Sequence, residues 1–281
     1  MGDVWEGKTQ GRSLSEEEQS RLSRQDERRV NEFKANKFQR EAQKHWDLFY
    51  KRNTTNFFKD RHWTTREFQD LLPSSDDSHG TDSPRPTLLE LGCGVGNFVF
   101  PLIEEDTSLF IYACDFSPRA VELLKAHSKY NEDHIKAFQC DITQSITPRV
   151  PDPGQKMDLV SMVFVLSALR PCDFDVALRN VCDCMKEGGV LLFRDYAVND
   201  MAMVRFGPGH KIRDQLYLRQ DGTTSYFFEI EFLRDLMTRA GFKVLHLDYI
   251  QRKTVNKKEN VDAERLFVQG RFLKSTKIIV K

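Results

Sequence analysis

Ten residues, Leu88-Leu89-Glu90-Leu91-Gly92-Cys93-Gly94-Val95-Gly96-Asn97, restrict the possible folds of this chain more than any other stretch. An apolar run ends in three alternate glycines and leads into a second apolar segment, Phe98 to Ile103, the pattern of a buried strand, a tight turn and a helix start. Glycine suits such a turn because a backbone without side chains can bend sharply and let a ligand lie against it. A dinucleotide fingerprint would need glycine where this chain has Asn97, so the GxGxG spacing disfavours NAD and FAD. Nineteen residues after Gly96, the strand-like Phe110 to Cys114 ends in Asp115, placed to accept hydrogen bonds from ribose hydroxyls. A third apolar segment, Ala137 to Cys140, ends in Asp141. A fourth, Leu159 to Leu166, is continuously apolar, as a parallel strand covered on both faces should be. Taken singly, a strand-terminal aspartate is as well explained as a cap of the following turn.

The order of glycine loop, second-strand acid and third-strand acid resembles the class I S-adenosylmethionine-dependent methyltransferases. That resemblance implies a glycine loop against the methionine moiety, Asp115 on the ribose and Asp141 beside the adenine.

The chain has 281 residues, room for one α/β domain and about a hundred residues of additions. Its formal net charge is zero, but Lys/Arg against Asp/Glu runs 15 to 13 over residues 1–70, 11 to 20 over 71–204 and 16 to 9 over 205–281. An acidic core with a basic tail suits a protein whose flanks meet an anion. Six cysteines without a CxxC pair or a histidine partner spacing imply a reducing compartment and no metal site. Residues 1–30 are polar and no apolar run reaches the roughly 20 residues of a membrane span, so the expected setting is soluble, cytoplasmic or nuclear, with no membrane partner.

Residues 1–13 are expected to be disordered. The stretch Ser13-Leu14-Ser15-Glu16 is a capping-box-like start for a long, charged helical segment to about Tyr50, whose first half reads as solvated. Residues 44–68 interleave Trp46, Phe49, Tyr50, Phe57, Phe58, Trp63 and Phe68 with Lys51, Arg52, Lys59, Arg61, His62 and Arg66, and Asp60 is the only acid between positions 48 and 66. Rings that stack on bases and cations that neutralise phosphates are what single-stranded nucleic acid requires. Part of the pattern would also fit a packed amphipathic helix. The expected organisation is a cap over residues 1–70, a polar linker at 71–86, and an α/β domain over 87–281 with an irregular insertion at about 197–230. Within that domain Phe174 to Met185 reads as a helix stopped by Lys186 to Gly189, Val190 to Phe193 as a fifth strand, and Glu229 to Ala240 as a helix ending at Gly241. Phe242–Ile250 and Arg265–Leu273 are the last two strands.

The segments Trp46 to Asn53, Asn56 to Phe68, Leu91 to Asn97 and Tyr112 to Ala120 together resemble the tRNA 3-methylcytidine methyltransferases. Phe193-Arg194-Asp195-Tyr196, Arg219-Gln220-Asp221-Gly222-Thr223 and Thr254 to Lys258 extend the match. The resemblance implies a Rossmann-like, mostly parallel seven-stranded sheet with a helical N-terminal cap and an insertion before the last two strands. It also implies methylation of cytidine at position 32 of the anticodon loop with S-adenosylmethionine as cofactor. Carried over residue by residue, the cofactor contacts would be Trp46, Tyr50, Gly92, Asp115, Asp141 and Val163, beside the loop glycines Gly94 and Gly96. The short amino-terminal part is most similar to the serine-tRNA type, implying serine tRNA as substrate and seryl-tRNA synthetase as a partner.

The target nitrogen lies on the Watson–Crick edge, so the base must be splayed out of a loop. Its lone pair attacks the methyl directly and the base turns cationic as the bond forms, so a carboxylate nearby would favour the transition state. Asp195, at a carboxyl strand end, is the candidate; its alternative role is to pair with Arg194 or cap the next segment. Phe57, Phe58 and Tyr196 are candidate base stackers. Lys59, Arg61, His62, Arg66, Arg219, Lys257 and Lys258 are candidate RNA contacts. The competing readings are a methyltransferase of a protein or small molecule and a non-catalytic RNA-binding subunit.

Overall fold

The computed structural model of the protein describes residues 2–73, 85–105, 107–256 and 261–275. Strand β1 (Gly2–Thr9) precedes helices α1 (Glu16–Gln25), α2 (Glu32–Arg40), α3 (Ala42–Asn53) and the single turn α4 (Thr64–Glu67). There follow β2 (Thr87–Leu91), α5 (Val99–Glu104), β3 (Phe110–Asp115), α6 (Pro118–Lys125), β4 (Ile135–Gln139), β5 (Met157–Val163), α7 (Phe174–Cys184) and β6 (Met185–Tyr196). The chain ends with α8 (Met201–Val204), the short strands β7 (Lys211–Arg213), β8 (Leu216–Leu218) and β9 (Thr224–Tyr226), then α9 (Ile230–Arg239), β10 (Phe242–Asn256) and β11 (Val261–Lys274).

The main sheet runs β1-β10-β11-β6-β5-β2-β3-β4. Strands β4, β3, β2, β5 and β6 pair in parallel, whereas β11 pairs antiparallel with β6 and with β10. Strand order reverses between β2 and β5, and a crevice opens beyond the carboxyl ends of strands at such a point. All five residues of β2 are buried, which is why its sequence is largely apolar, with Glu90 the one acid in it. Leu89, Leu91, Met162 and Phe193 pack on one face against α7 and α9, and Leu88, Ile111, Leu159 and Leu192 pack on the other against α5 and α6.

Five expectations are corrected. Residues 2–9 are an eighth strand, pairing antiparallel with β10. Their backbone covers an edge that would otherwise expose unpaired amides and carbonyls. The helical segment is three helices: α1 opens on a Ser15–Glu18 capping box, two residues after the expected Ser13–Glu16 start, and Asn31 recaps the chain, accepting the Lys34 amide at 2.8 Å. Nor is the last turn of α1 solvated. Gln25 is fully buried, donating to the Met203 and Phe206 carbonyls at 3.0 and 2.9 Å and accepting from the Tyr217 hydroxyl at 2.9 Å. Lys186 to Gly189 belong to β6, because α7 stops at Cys184. The insertion is a three-stranded meander, β7-β8-β9. Residues 74–84 of the expected linker lie outside the described residues, while Leu71 is fully buried in the core.

The cap is clipped to the far side of the sheet. Glu67 accepts from Arg252 and Gln269, each at 3.2 Å, and Asp70 accepts from Arg271 Nε at 2.7 Å. The insertion is clipped by Asp200, which is fully buried, caps α8 and accepts from Arg265 Nε at 2.9 Å and from the Leu266 amide at 2.7 Å. Replacing one member of such a buried set leaves the rest unsolvated. Asp200→Ala should therefore cost about 3 kcal/mol in urea unfolding, with Asp200→Asn intermediate; a loss below about 0.5 kcal/mol would mean the clamp does not fix the insertion.

Candidate active site

The crevice is built from the glycine loop outward. A Cβ on Gly92, whose φ is 61°, would meet Val165 Cγ2 at 2.6 Å, and one on Gly94, φ 54°, would meet the Tyr50 hydroxyl at 3.0 Å. Neither position admits a side chain without displacing a neighbour, and both hold a left-handed backbone. Gly94 donates its amide to Asp115 Oδ2 at 2.9 Å, and the Ser117 amide donates to Oδ1 at 2.8 Å. Burial nevertheless pushes the Asp115 carboxyl up to about 6, against the pull of these donors. Asp141 gives Oδ1 to the Thr143 amide and hydroxyl, at 2.9 and 2.8 Å.

Helix α3 closes this end with Trp46 and Tyr50, whose rings lie 6.1 Å apart. It is held there by Gln43, which donates to the Phe116 carbonyl at 2.9 Å, and by a hydrogen bond from Ser117 to Asp47. Asn97, the residue that separates this motif from a dinucleotide fingerprint, has a positive use. Its side chain donates to Asp60 Oδ1 at 2.9 Å and to the Phe58 carbonyl at 3.3 Å, and its carbonyl accepts the Arg61 amide at 2.8 Å. The glycine loop thus grips the Phe57–Arg61 stretch of the cap.

A single cleft of about 330 Å³ results, lined by Trp46, Tyr50, Gly92, Gly94, Asp115, Asp141 and Val163 at one end and by Phe58, Arg61, Phe164, Tyr196, Arg219 and Thr224 at the other. Gly96 is not in the lining. Arg61 points into the cleft: its Nη1 lies 3.5 Å from the Val163 carbonyl and its guanidinium carbon 5.5 Å from the Phe164 ring centre. Burial pulls its pKa down, opposed first by Glu90. This position belongs to the cleft interior, not to an outer phosphate track. Arg219 hydrogen-bonds Ser225 at 3.1 Å and lies 5.5 Å from the Tyr196 ring centre.

Asp195 is displaced from its expected role. It is fully buried behind the lining, Oδ2 accepting the Ser167 amide and Oδ1 the Tyr196 amide, both at 2.9 Å. Burial raises its carboxyl to about 6. It caps the loop after β5 and so positions Ser167, which does line the cleft. Phe57 projects from the rim, packed edge-on against Phe49 and Phe58 at 4.8 Å, and Lys59, His62 and Arg66 are exposed beside it. Lys257 and Lys258 lie outside the described residues.

Two features escaped the sequence reading. Glu90 is 2 % exposed, its Oε2 has no hydrogen-bond partner, and burial pushes its carboxyl up to about 8, with Arg61 pulling the other way. The signal was visible as a lone acid inside an apolar strand. The second is a column of alternating arginines and rings: Arg252, Trp63, Arg194, Phe267, Arg265, Tyr196 and Arg219, with successive guanidinium-to-centroid distances of 4.9, 4.4, 4.9, 5.2, 5.8 and 5.5 Å. Cation–π attraction accounts for the fully buried Arg194, whose three guanidinium nitrogens have no hydrogen-bond acceptor. Among the described residues no group of three or more His, Cys, Asp or Glu could hold a metal, and no helix is long and apolar enough to cross a membrane.

A family model described as a methyltransferase domain matches residues 38–247. The mouse tRNA N(3)-cytidine methyltransferase METTL6 is 51% identical over 269 residues, covering 95% of this chain and 93% of the mouse protein. This chain belongs to the tRNA N(3)-cytidine methyltransferase family. A second member, the tRNA N(3)-methylcytidine methyltransferase trm141 of Schizosaccharomyces pombe, is 42% identical, with 86% of this chain and 96% of that protein covered. A solved S-adenosylmethionine-dependent methyltransferase from Anabaena variabilis matches with a TM-score of 0.58 at 10% identity, covering 83% of this chain and 94% of that one, which shows the fold. Of the eight strands in the main sheet of this chain, seven match the number expected, and β1 is added at the edge.

Glu90 gives a pH test. Its folded pKa is raised, so the stability contributed by its protonated form is present at low pH and is lost as pH climbs from the ordinary carboxylate range to about 8. Glu90→Gln removes that dependence: its stability relative to wild type should be greater at pH 9 than at pH 6 in urea unfolding. Parallel profiles across that interval would contradict the assignment.

Proposed function

We propose that this protein transfers a methyl group from S-adenosylmethionine to N3 of cytidine in tRNA, at position 32 of the anticodon loop. The observation that carries the reading is the continuity of one cleft from the glycine loop and its acids to an aromatic, arginine-bearing end.

The residues present fit the cofactor. Gly94 leaves a cradle that a Cβ would fill, Glu90 presents a buried carboxyl oxygen without a partner, and Asp115 and Asp141 stand at adjacent strand ends. Trp46, Tyr50, Gly92, Gly94, Asp115, Asp141 and Val163 would hold it, with Gly96 shaping the turn. When bound, it supplies a methyl group carried on a positively charged sulfur. The chain's part is to bring the cytidine N3 lone pair into line and exclude water, so positioning supplies much of the rate. No proton needs to leave before attack. Asp195 contributes indirectly, by holding Ser167 and the loop that carries it.

Phe57, Lys59, His62 and Arg66 on the rim, with Lys257 and Lys258, form the proposed contact with the anticodon arm. Serine tRNA, a dependence on seryl-tRNA synthetase and a cytoplasmic or nuclear setting are part of the same proposal, supported by the sequence resemblance to the serine-tRNA type.

The test is transfer of labelled methyl to transcribed serine, threonine and arginine tRNAs, with and without seryl-tRNA synthetase, followed by nucleoside analysis. The expected product is 3-methylcytidine confined to position 32 of serine tRNA. Asp115→Ala should lower affinity for S-adenosylhomocysteine by at least about tenfold, the loss of a charge-assisted hydrogen bond. Methylation of protein or of small amines with no tRNA product would overturn the substrate assignment.

A further inference from the structure

Phe164 immediately follows β5, at the point where strand order reverses, with a φ of 62°. Among the described residues four other non-glycine residues have a positive φ, Thr54, Ser108, Asn199 and Gln215, and none of them lines the cleft. A bulky side chain holds that conformation only where its surroundings over-determine it, and such positions gather at functional sites.

Here the surroundings are specific. The Phe164 amide donates to the Arg194 carbonyl at 2.8 Å. The ring sits 4.9 Å from Tyr196 at a 32° tilt and 5.3 Å from Phe267, nearly edge-on. The reversal of the backbone serves two contacts at once. It seats Val165 against Gly92, so closely that a Cβ there would clash, and it sets the Phe164 ring at the Tyr196 end of the cleft. Phe164 is therefore the residue at which the loop passes from the wall of the glycine end to the wall of the aromatic end.

We infer that Phe164, with Tyr196, is the platform on which the target cytosine stacks for methyl transfer. The inference rests on the function proposed above and deepens it, since no other part of that reading assigns the residue. Phe164 directly follows Val163, one of the proposed cofactor contacts, so a base against its ring lies beside the glycine end of the cleft. Arg61 and Arg219, each 5.5 Å from one of the two rings, flank the platform with donors for the base's carbonyl edge. Retaining a strained phenylalanine at this point gives a flat face that a relaxed glycine could not offer.

The experiment uses an anticodon stem–loop RNA carrying pyrrolocytidine, a fluorescent cytidine analogue, at the target position, and the natural RNA for kinetics. Wild type is compared with Phe164→Leu, which keeps an apolar side chain, Phe164→Gly, which relieves the backbone, and Phe164→Tyr, which keeps the ring. Leu and Gly should lower kcat/KM for RNA methylation by roughly 10- to 100-fold and abolish the fluorescence quench on binding, while affinity for S-adenosylhomocysteine stays within about twofold. The Tyr variant should restore both signals. If Leu retains the quench and kcat/KM, or if cofactor affinity falls in step with kcat/KM, the platform is overturned. Should the Gly variant fail to fold, the Leu and Tyr pair decides the matter. Wild type forming no 3-methylcytidine would sink the substrate reading itself, and this inference with it.

Discussion

The hydrogen bond from the Gly94 amide to Asp115 is the contact on which the site depends. It ties the turn after β2 to the end of β3, and it does so where Gly94 has room for no side chain beneath the Tyr50 hydroxyl. Every other wall is referred to it: α3 rests on α6 through Ser117, the neighbour that also donates to Asp115, and Asn97 at the end of the same loop grips the cap from Phe58 to Arg61. A shift of this loop would move both ends of the cleft together.

The charges are arranged with a sharp division of environment. Burial raises Glu90, Asp115 and Asp195 towards neutrality, and it lowers Arg61 and, far more, Arg194. A cleft with raised acids and a desolvated arginine is poised to respond to a cationic ligand, because perturbed groups of this kind gather where charge changes during function. The arginine–ring column carries the same chemistry away from the cleft, from Arg219 in the insertion to Arg252 on β10. It joins the insertion, strands β6, β11 and β10, and the cap through Trp63, so chain segments distant in sequence share one packing unit.

Much of this was legible from residue order. Apolar runs marked β2 and β5, the strand-end acids fell where a crevice requires them, and Gly241 marked the helix end it was read to mark, whereas the capping box of α1 lies two residues beyond the Ser13–Glu16 start. What escaped the sequence depends on contacts that no local pattern encodes. β1 is held by backbone pairing to β10, which imposes no alternation of its side chains. The break between α1 and α2 follows from docking on the insertion, through Gln25 and through the Val30 amide on the Lys211 carbonyl. Asp195 was correctly placed at a carboxyl strand end, but which side of the lining it occupies is set by the loop after β5. That loop is fixed partly from Thr224, which donates to the Ala168 carbonyl at 3.1 Å. Glu90 stands inside an apolar strand, and nothing local in the sequence shows that its carboxyl is buried at the cleft.

The most direct test of the account is a structure of the protein with S-adenosylhomocysteine bound. The account places the ribose on Asp115, the adenine beside Asp141 and the homocysteine between Glu90 and the glycine loop, with the sulfur towards Phe164 and Tyr196. Density for the ligand in the reverse sense, with the adenine at the Tyr196 end or with Asp115 making no contact, would contradict it.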